Sequence, residues 1–155
     1  MSRTSAAEQA VCRNRKASFR YEILEKFECG VVLIGSEVKS LRERNASIEE
    51  AYARIEGGEL WLIGAHIAPY PFARTRNHEP TRMRKLLIHG REIRRLRPKV
   101  EQRGLTLVPL GIYFNARGTA KVAVALVRGK TAGDKRETLK KREHERDMER
   151  AMRRR

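Results

Sequence analysis

Lys85, Leu87 and His89 alternate along one short segment, and together they offer what an RNA strand takes from a protein. Lys85 supplies an ammonium for phosphate. Leu87 supplies apolar contact, and His89 a flat ring for a splayed base. Leu87 and His89 also have plain structural uses: Leu87 in ordinary core packing, His89 as a satisfied residue at a helix start. Acid–base chemistry is the other option. His66, His78 and His89 with Glu28, Glu37 and Glu79 would furnish a nuclease. None of them has HxxxH or paired-carboxylate spacing, and no catalytic motif is present, so the expectation is a protein that is not an enzyme and holds no metal or cofactor. The two cysteines, Cys12 and Cys29, lack CxxC spacing and are expected as reduced thiols.

Charge selects between the two options. The chain of 155 residues carries 35 Lys and Arg against 19 Asp and Glu, a net charge of +16, with a pI near 10.7. Such a surplus speaks for a polyanionic partner. Membranes would want an apolar helix face opposite the basic one, which the basic stretches lack, so nucleic acid is expected and membrane is not. The surplus is also uneven. Residues 74–103 carry +8 and residues 128–155 carry +6, while the other ninety-seven positions carry +2. Two separate footprints are therefore expected. No stretch is apolar enough for a membrane span, and Met1 to Lys16 has no apolar signal core, which points to the cytoplasm.

The elements that position these groups follow from periodicity. Residues 1–13 are small and polar and are expected to be a flexible arm. Alternation from Phe19 to Glu25 predicts a strand, Gly30 a break, and Val31 to Ile34 a short buried strand. Gly35 to Arg42 predicts a helix capped by Ser36, and Ser47 to Glu50 a second short helical turn. Gly57-Gly58 predicts a hairpin turn between strands. Ile93, Leu96 and Val100 recur at helical spacing, and Pro98 predicts that residues 81–103 form two or three short helices. Leu105 to Phe114 and Thr119 to Val127 predict a hairpin. Residues 135–155 favour helix intrinsically but carry a sparse apolar stripe, so they are expected to order on a partner. The fold class expected is mainly β with added helices: a small antiparallel oligonucleotide-binding-type β-barrel with a disordered basic C-terminal tail. The domains expected are an arm (1–13), an RNA-binding barrel (14–128) and a tail (129–155).

Several segments, in order, resemble the SsrA-binding protein (small protein B) family. They are Asn14-Arg15-Lys16-Ala17, Phe27-Glu28-Cys29-Gly30, Gly35-Ser36-Glu37-Val38-Lys39-Ser40-Leu41-Arg42 and Ala51-Tyr52-Ala53-Arg54-Ile55. Pro80-Thr81-Arg82-Met83-Arg84-Lys85-Leu86-Leu87, Gly129-Lys130 and Asp134-Lys135-Arg136 complete the set. The resemblance implies a cytoplasmic, monomeric RNA-binding protein of trans-translation. It would bind the tRNA-like domain of transfer-messenger RNA and deliver it to stalled bacterial ribosomes. The tail would become a helix in the empty mRNA channel, on 16S ribosomal RNA near the decoding centre, and the incomplete peptide would be tagged for degradation.

The resemblance also implies site residues. Asn14, with Arg15 and Lys16, and Glu28 match positions that grip RNA. Asn can donate to and accept from bases or a 2′-hydroxyl, and Glu28 can accept from base amino groups or orient an Arg. Lys85, Leu87 and His89 fall in the middle basic block. Lys130, Asp134, Lys135 and Arg136 match the start of the tail, where Lys and Arg would take phosphate and Asp134 would suit a helix N-terminus. This chain departs from the family pattern at three places: Glu79 stands for the usual Asp, Thr131 for a common Lys, and Gly133 for a flat side chain able to stack at the decoding centre.

Overall fold

Between Ala120 and Val127 the side chains of Val122, Val124 and Leu126 enter the core, while Lys121 and Ala123 lie on the outer surface. That period of two is a strand with one face buried, and most of the chain is built the same way. The computed structural model describes residues 9–73, 75–102 and 104–153. In chain order these form β1 (Gln9–Arg13), α1 (Ala17–Arg20), β2 (Tyr21–Val31), α2 (Gly35–Arg42), β3 (Ala46–Ser47), β4 (Tyr52–Glu56) and β5 (Glu59–Ile63). There follow β6 (His66–Ile67), β7 (Arg84–Leu87), α3 (Gly90–Val100), β8 (Leu105–Phe114), β9 (Ala120–Gly129) and α4 (Ala132–Arg153).

Seven strands make one sheet in the order β1-β8-β4-β5-β7-β2-β9, and β9 also pairs with β8, so six of them close into a ring with β1 attached to β8. Every pairing is antiparallel. The protein is thus mostly β with several helices. The ring bends where the ladder slips: between Ile23 and Glu25 in β2, and between Pro109 and Gly111 in β8. A proline has no N–H to give a ladder, so Pro109 sits where the register shifts. Leu60, Leu62, Leu86, Leu107, Val122 and Val124 fill the ring, and Leu41, Ile48 and Ile67 extend this core toward α2 and the β3–β6 pair.

Gly57 and Gly58, at φ +60° and +74°, form the two-residue turn of the expected β4–β5 hairpin. Gly30 is not a break. It lies opposite Leu87 in the ladder, and a Cβ there would come within 3.2 Å of the Leu87 Cβ. Strand β2 therefore runs on to Val31, and the buried strand expected over Val31 to Ile34 does not form: Val32 and Ile34 are exposed.

Other expectations change for identifiable reasons. Gln9–Arg13 is not loose arm but a strand on β8; the first eight residues lie outside the described part of the chain. The strand expected from Phe19 starts at Tyr21, after one helical turn. Helix α2 forms where expected, but Ser36 does not cap it. The Glu37 carboxylate accepts the Ile34 N–H at 2.8 Å, and the Ser36 hydroxyl bonds His78 Nδ1 at 2.9 Å. Ser47 ends β3, and a turn at residues 49–50 follows it rather than a helix. The middle segment is one strand, β7, followed by one helix, α3, which tolerates Pro98 in its last turn.

The tail also differs from the expectation of disorder, since Ala132–Arg153 is a continuous helix. Thr131 begins it. The Thr131 hydroxyl accepts the Asp134 N–H at 3.3 Å, while the Asp134 carboxylate accepts the Thr131 N–H at 3.2 Å and its hydroxyl at 2.8 Å. This reciprocal cap satisfies donors that a helix start leaves open. Its composition of Glu, Lys, Arg and Leu then propagates the helix.

Candidate nucleic-acid interface

A polar bracket inside the fold fixes the segment that carries Lys85, Leu87 and His89. Arg84 points inward and is fully buried, against Glu37 of α2, which is also fully buried. Arg84 Nε bonds Glu37 Oε2, while its other nitrogens reach the Ala65 and Pro80 carbonyls at 2.8 and 3.1 Å. Arg82 Nη2 bonds Glu37 Oε1 at 2.5 Å. Burial by itself would raise the Glu37 carboxyl; bonds from Arg82, the Ile34 amide and Arg84, with the Arg84 charge, hold it below the usual range. His78 adds a second tie. Its Nε2 donates to the Ile67 carbonyl at 2.8 Å, which leaves Nδ1 to accept from Ser36. The Gly35–Arg42 motif and the Arg84–Leu87 motif are therefore two halves of one structural joint.

With Arg84 and Leu86 inward, Lys85 and Leu87 face out. Leu87 is 50 % exposed. Beside it, Phe27, Glu28, Gly30, Ile88, His89 and Lys121 contribute to an open cleft of about 600 Å³. Phe27 and Glu28 also border an adjoining cleft of about 520 Å³, whose other walls include Cys12, Arg13, Leu110 and Tyr113. Asn14 lines neither cleft and follows Arg13, a wall residue of the second. Its N–H bonds the Leu110 carbonyl at 2.8 Å and its Nδ2 the Pro109 carbonyl at 3.1 Å, and its Oδ1 is buried with no hydrogen-bond partner among the described residues. Arg15 and Lys16 are exposed next to it, and Lys16 lies 3.5 Å from Glu49. Glu28, Leu87 and His89, up to 61 residues apart in sequence, thus share one cleft, and Asn14 lies outside it.

Two residues of this surface escape the sequence reading. Tyr113 donates its hydroxyl to Glu28 Oε2 and so fixes the carboxylate in the cleft. Lys121, opposite both Gly30 and Tyr113 in the ladders, brings a cation to the same wall. An aromatic at an outward position of a strand is the signal that could have singled out Tyr113. Lys85 lines neither cleft. It lies on the outer face of β7, two residues before Leu87, with Nζ 2.8 Å from Glu59 Oε1.

The four tail residues gather elsewhere, where α4 starts against α1. Lys130 Nζ donates to the Ser18 carbonyl and to Thr138 Oγ1, each at 2.7 Å. Lys135 Nζ lies 5.9 Å from the centre of the Phe19 ring. Arg142 Nη2 bonds Ser18 Oγ at 2.6 Å. Bonds from the Thr131 hydroxyl and amide hold the Asp134 carboxyl below its ordinary range. Arg136 is exposed. Past Arg142, no hydrogen bond or ion pair joins α4 to the rest of the chain among the described residues. The two thiols are poor nucleophiles: burial pushes Cys12 up to about 11, and burial together with the Glu28 charge pushes Cys29 up to about 12. Among the described residues no helix is long and apolar enough to cross a membrane.

Comparison with known proteins gives one answer. A family model described as SmpB protein matches residues 11–154. The chain is 55 % identical over 144 residues to the SsrA-binding protein of Rhodopirellula baltica, covering 93 % of this chain and 82 % of that one. It is 50 % identical over 152 residues to the SsrA-binding protein of Syntrophobacter fumaroxidans, covering 98 % and 94 %. A solved structure described as "tmRNA-SmpB: a journey to the center of the bacterial ribosome" matches with a TM-score of 0.68 and 52 % identity, over 83 % of this chain and 93 % of that one. With sequence matches across nearly its whole length and a matching fold, the chain belongs to the SmpB family of SsrA-binding proteins.

Proposed function

We propose that this chain is an RNA-binding protein of trans-translation, not an enzyme. It binds the tRNA-like domain of transfer-messenger RNA and brings it to stalled bacterial ribosomes in the cytoplasm, so that the incomplete peptide is tagged and the ribosome released. The ring of strands, residues 14–128 with β1 added, acts as an oligonucleotide-binding-type barrel. Residues 129–155 act as a separate basic tail that occupies the empty mRNA channel on 16S ribosomal RNA. The observation that carries this reading is the meeting of Glu28, Leu87, His89 and Lys121 in one cleft of a protein with net charge +16. An anchored carboxylate, an exposed apolar side chain, a flat ring and a cation are what unstacked bases and phosphates require. Lys130, Lys135 and Arg136 then serve the second RNA surface, with Asp134 holding the helix start.

Recovery of RNA on the tagged protein from a bacterial lysate, followed by sequencing, tests the reading. One dominant small RNA with a tRNA-like end is expected; a broad mixture of unrelated RNAs would refute it. Two variants test the assignment of residues. Lys85→Ala is expected to flatten the salt dependence of binding to the tRNA-like domain by about one unit of the log–log slope. An unchanged slope removes Lys85 from the phosphate contacts. Tyr113→Phe keeps the ring and frees the Glu28 carboxylate, and about a tenfold loss of affinity is expected from a misplaced charged acceptor. Equal affinity by titration of labelled RNA would show that Glu28 needs no such orientation.

A further inference from the structure

Helix α3 carries five cations, and the structure divides them into two groups with different employment. Leu96 is fully buried and Ile93 and Val100 half-buried, which sets the inward face. Arg95 and Lys99 lie on one flank of it. Arg95 pairs with Glu25 of β2 and with Glu92, and Lys99 Nζ lies 3.3 Å from Glu25 Oε2. These two fasten the helix to the ring of strands. Arg91, Arg94 and Arg97 are exposed on the other side. Arg91 and Arg94 form no ion pair among the described residues, and Arg97 has only exposed Glu101 at 3.7 Å. Spaced three apart, they make a ridge that climbs about 9 Å of the helix.

Like charges at that spacing repel and give the fold nothing. They become favourable against a polyanion, and guanidinium forks match phosphate oxygens two at a time. The ridge also has a definite starting point. His89, in the cleft, is the residue that precedes α3. The Arg94 guanidinium leans back over Gly90, 3.8 Å from where a Cβ on that residue would stand. The ridge thus continues the Glu28–Leu87–His89 surface.

Resting on the RNA-binding function proposed above, we infer that Arg91, Arg94 and Arg97 are a phosphate track for the RNA strand leaving that cleft. The ligand chemistry is a run of phosphodiesters, and the source is the same small RNA that the cleft holds rather than ribosomal RNA. The track reads no bases. It fixes the direction in which the strand leaves and adds affinity that salt removes.

The test uses the full-length chain with Arg91→Gln, Arg94→Gln and Arg97→Gln combined, against the isolated tRNA-like RNA from 50 to 200 mM salt. The log–log slope is expected to fall by about two to three units, so that over this range wild type loses roughly 30-fold more affinity than the triple variant. Arg95→Gln, a cation lost from the anchored flank, is expected to shift the slope by less than about half a unit. A triple variant with the wild-type slope overturns the track. So does a fall per arginine no greater than that of Arg95→Gln, which would make net charge the cause. A loss seen only with small ribosomal subunits, and not with the small RNA, also overturns it. Wild type that ignores the small RNA at 50 mM salt would instead remove the proposed function itself.

Discussion

Truncation after Arg128 is expected to leave binding of the tRNA-like RNA within about threefold of wild type while reducing tagging on stalled ribosomes at least about 100-fold. The geometry sets this contrast. The inward residues of β9 end with Leu126, and Val127 closes a small outer cluster with Val108 and Ala125, so the cut removes no core side chain. It removes Lys130, Lys135 and Arg142, whose contacts to the body are all with the single turn α1. Among the described residues no hydrogen bond or ion pair joins Asn14, Glu28, Leu87 or His89 to α4. Under the role proposed for the tail, the cut also removes phosphate contacts on the ribosome, whose contribution to affinity rises steeply with their number. A filter-binding titration and a reconstituted tagging reaction measure the two quantities. Parallel loss of both would mean that one surface serves both RNAs.

The largest effect on stability is expected at Glu37. Glu37→Ala leaves the fully buried Arg84 without its carboxylate, a change worth about 3–5 kcal/mol in urea unfolding. Replacing both residues together with apolar side chains of similar volume is expected to restore most of that loss, because the penalty belongs to the stranded charge rather than to the missing attraction. The wild-type chain offers a second readout. The Glu37 carboxyl is held below its ordinary value of 4.5. Its contribution is therefore present above that pH and is lost as pH falls through the lowered native value. An acid-unfolding curve that loses its steepness in the double replacement is the expected result. A Glu37→Ala cost under about 1 kcal/mol would show that water already screens the pair.

That joint also explains where sequence and structure part. The period-two pattern was visible in Leu105–Phe114, Ala120–Gly129 and the Gly57-Gly58 hairpin, since their inward positions are apolar. It was hidden in Arg84–Leu87, where the first inward side chain is an arginine. A buried cation reads as an exposed one until its partner is known, and that partner lies 47 residues away. Gly30 misled for a similar reason. Its missing side chain gives room to Leu87, a neighbour no local rule supplies.

For the site, residue types were legible and their assembly was not. The cations follow from composition, and the motifs that resemble the SsrA-binding family drew attention to Asn14, Glu28 and the helix start at Asp134. Tyr113 was missed because its importance consists of one hydrogen bond across the sheet to a residue 85 positions away. Thr131 looked like a lost lysine and proves to be the cap of the tail helix.

The amino-acid sequence alone determined the polyanionic partner, the two charged regions and most of the strands, because net charge and alternation are summed or local properties of a chain. Only the tertiary structure decided which cations stay free for RNA and which are consumed by Glu25 and Glu37. Ion pairing depends on distance through space, and closing the ring of strands is what sets those distances.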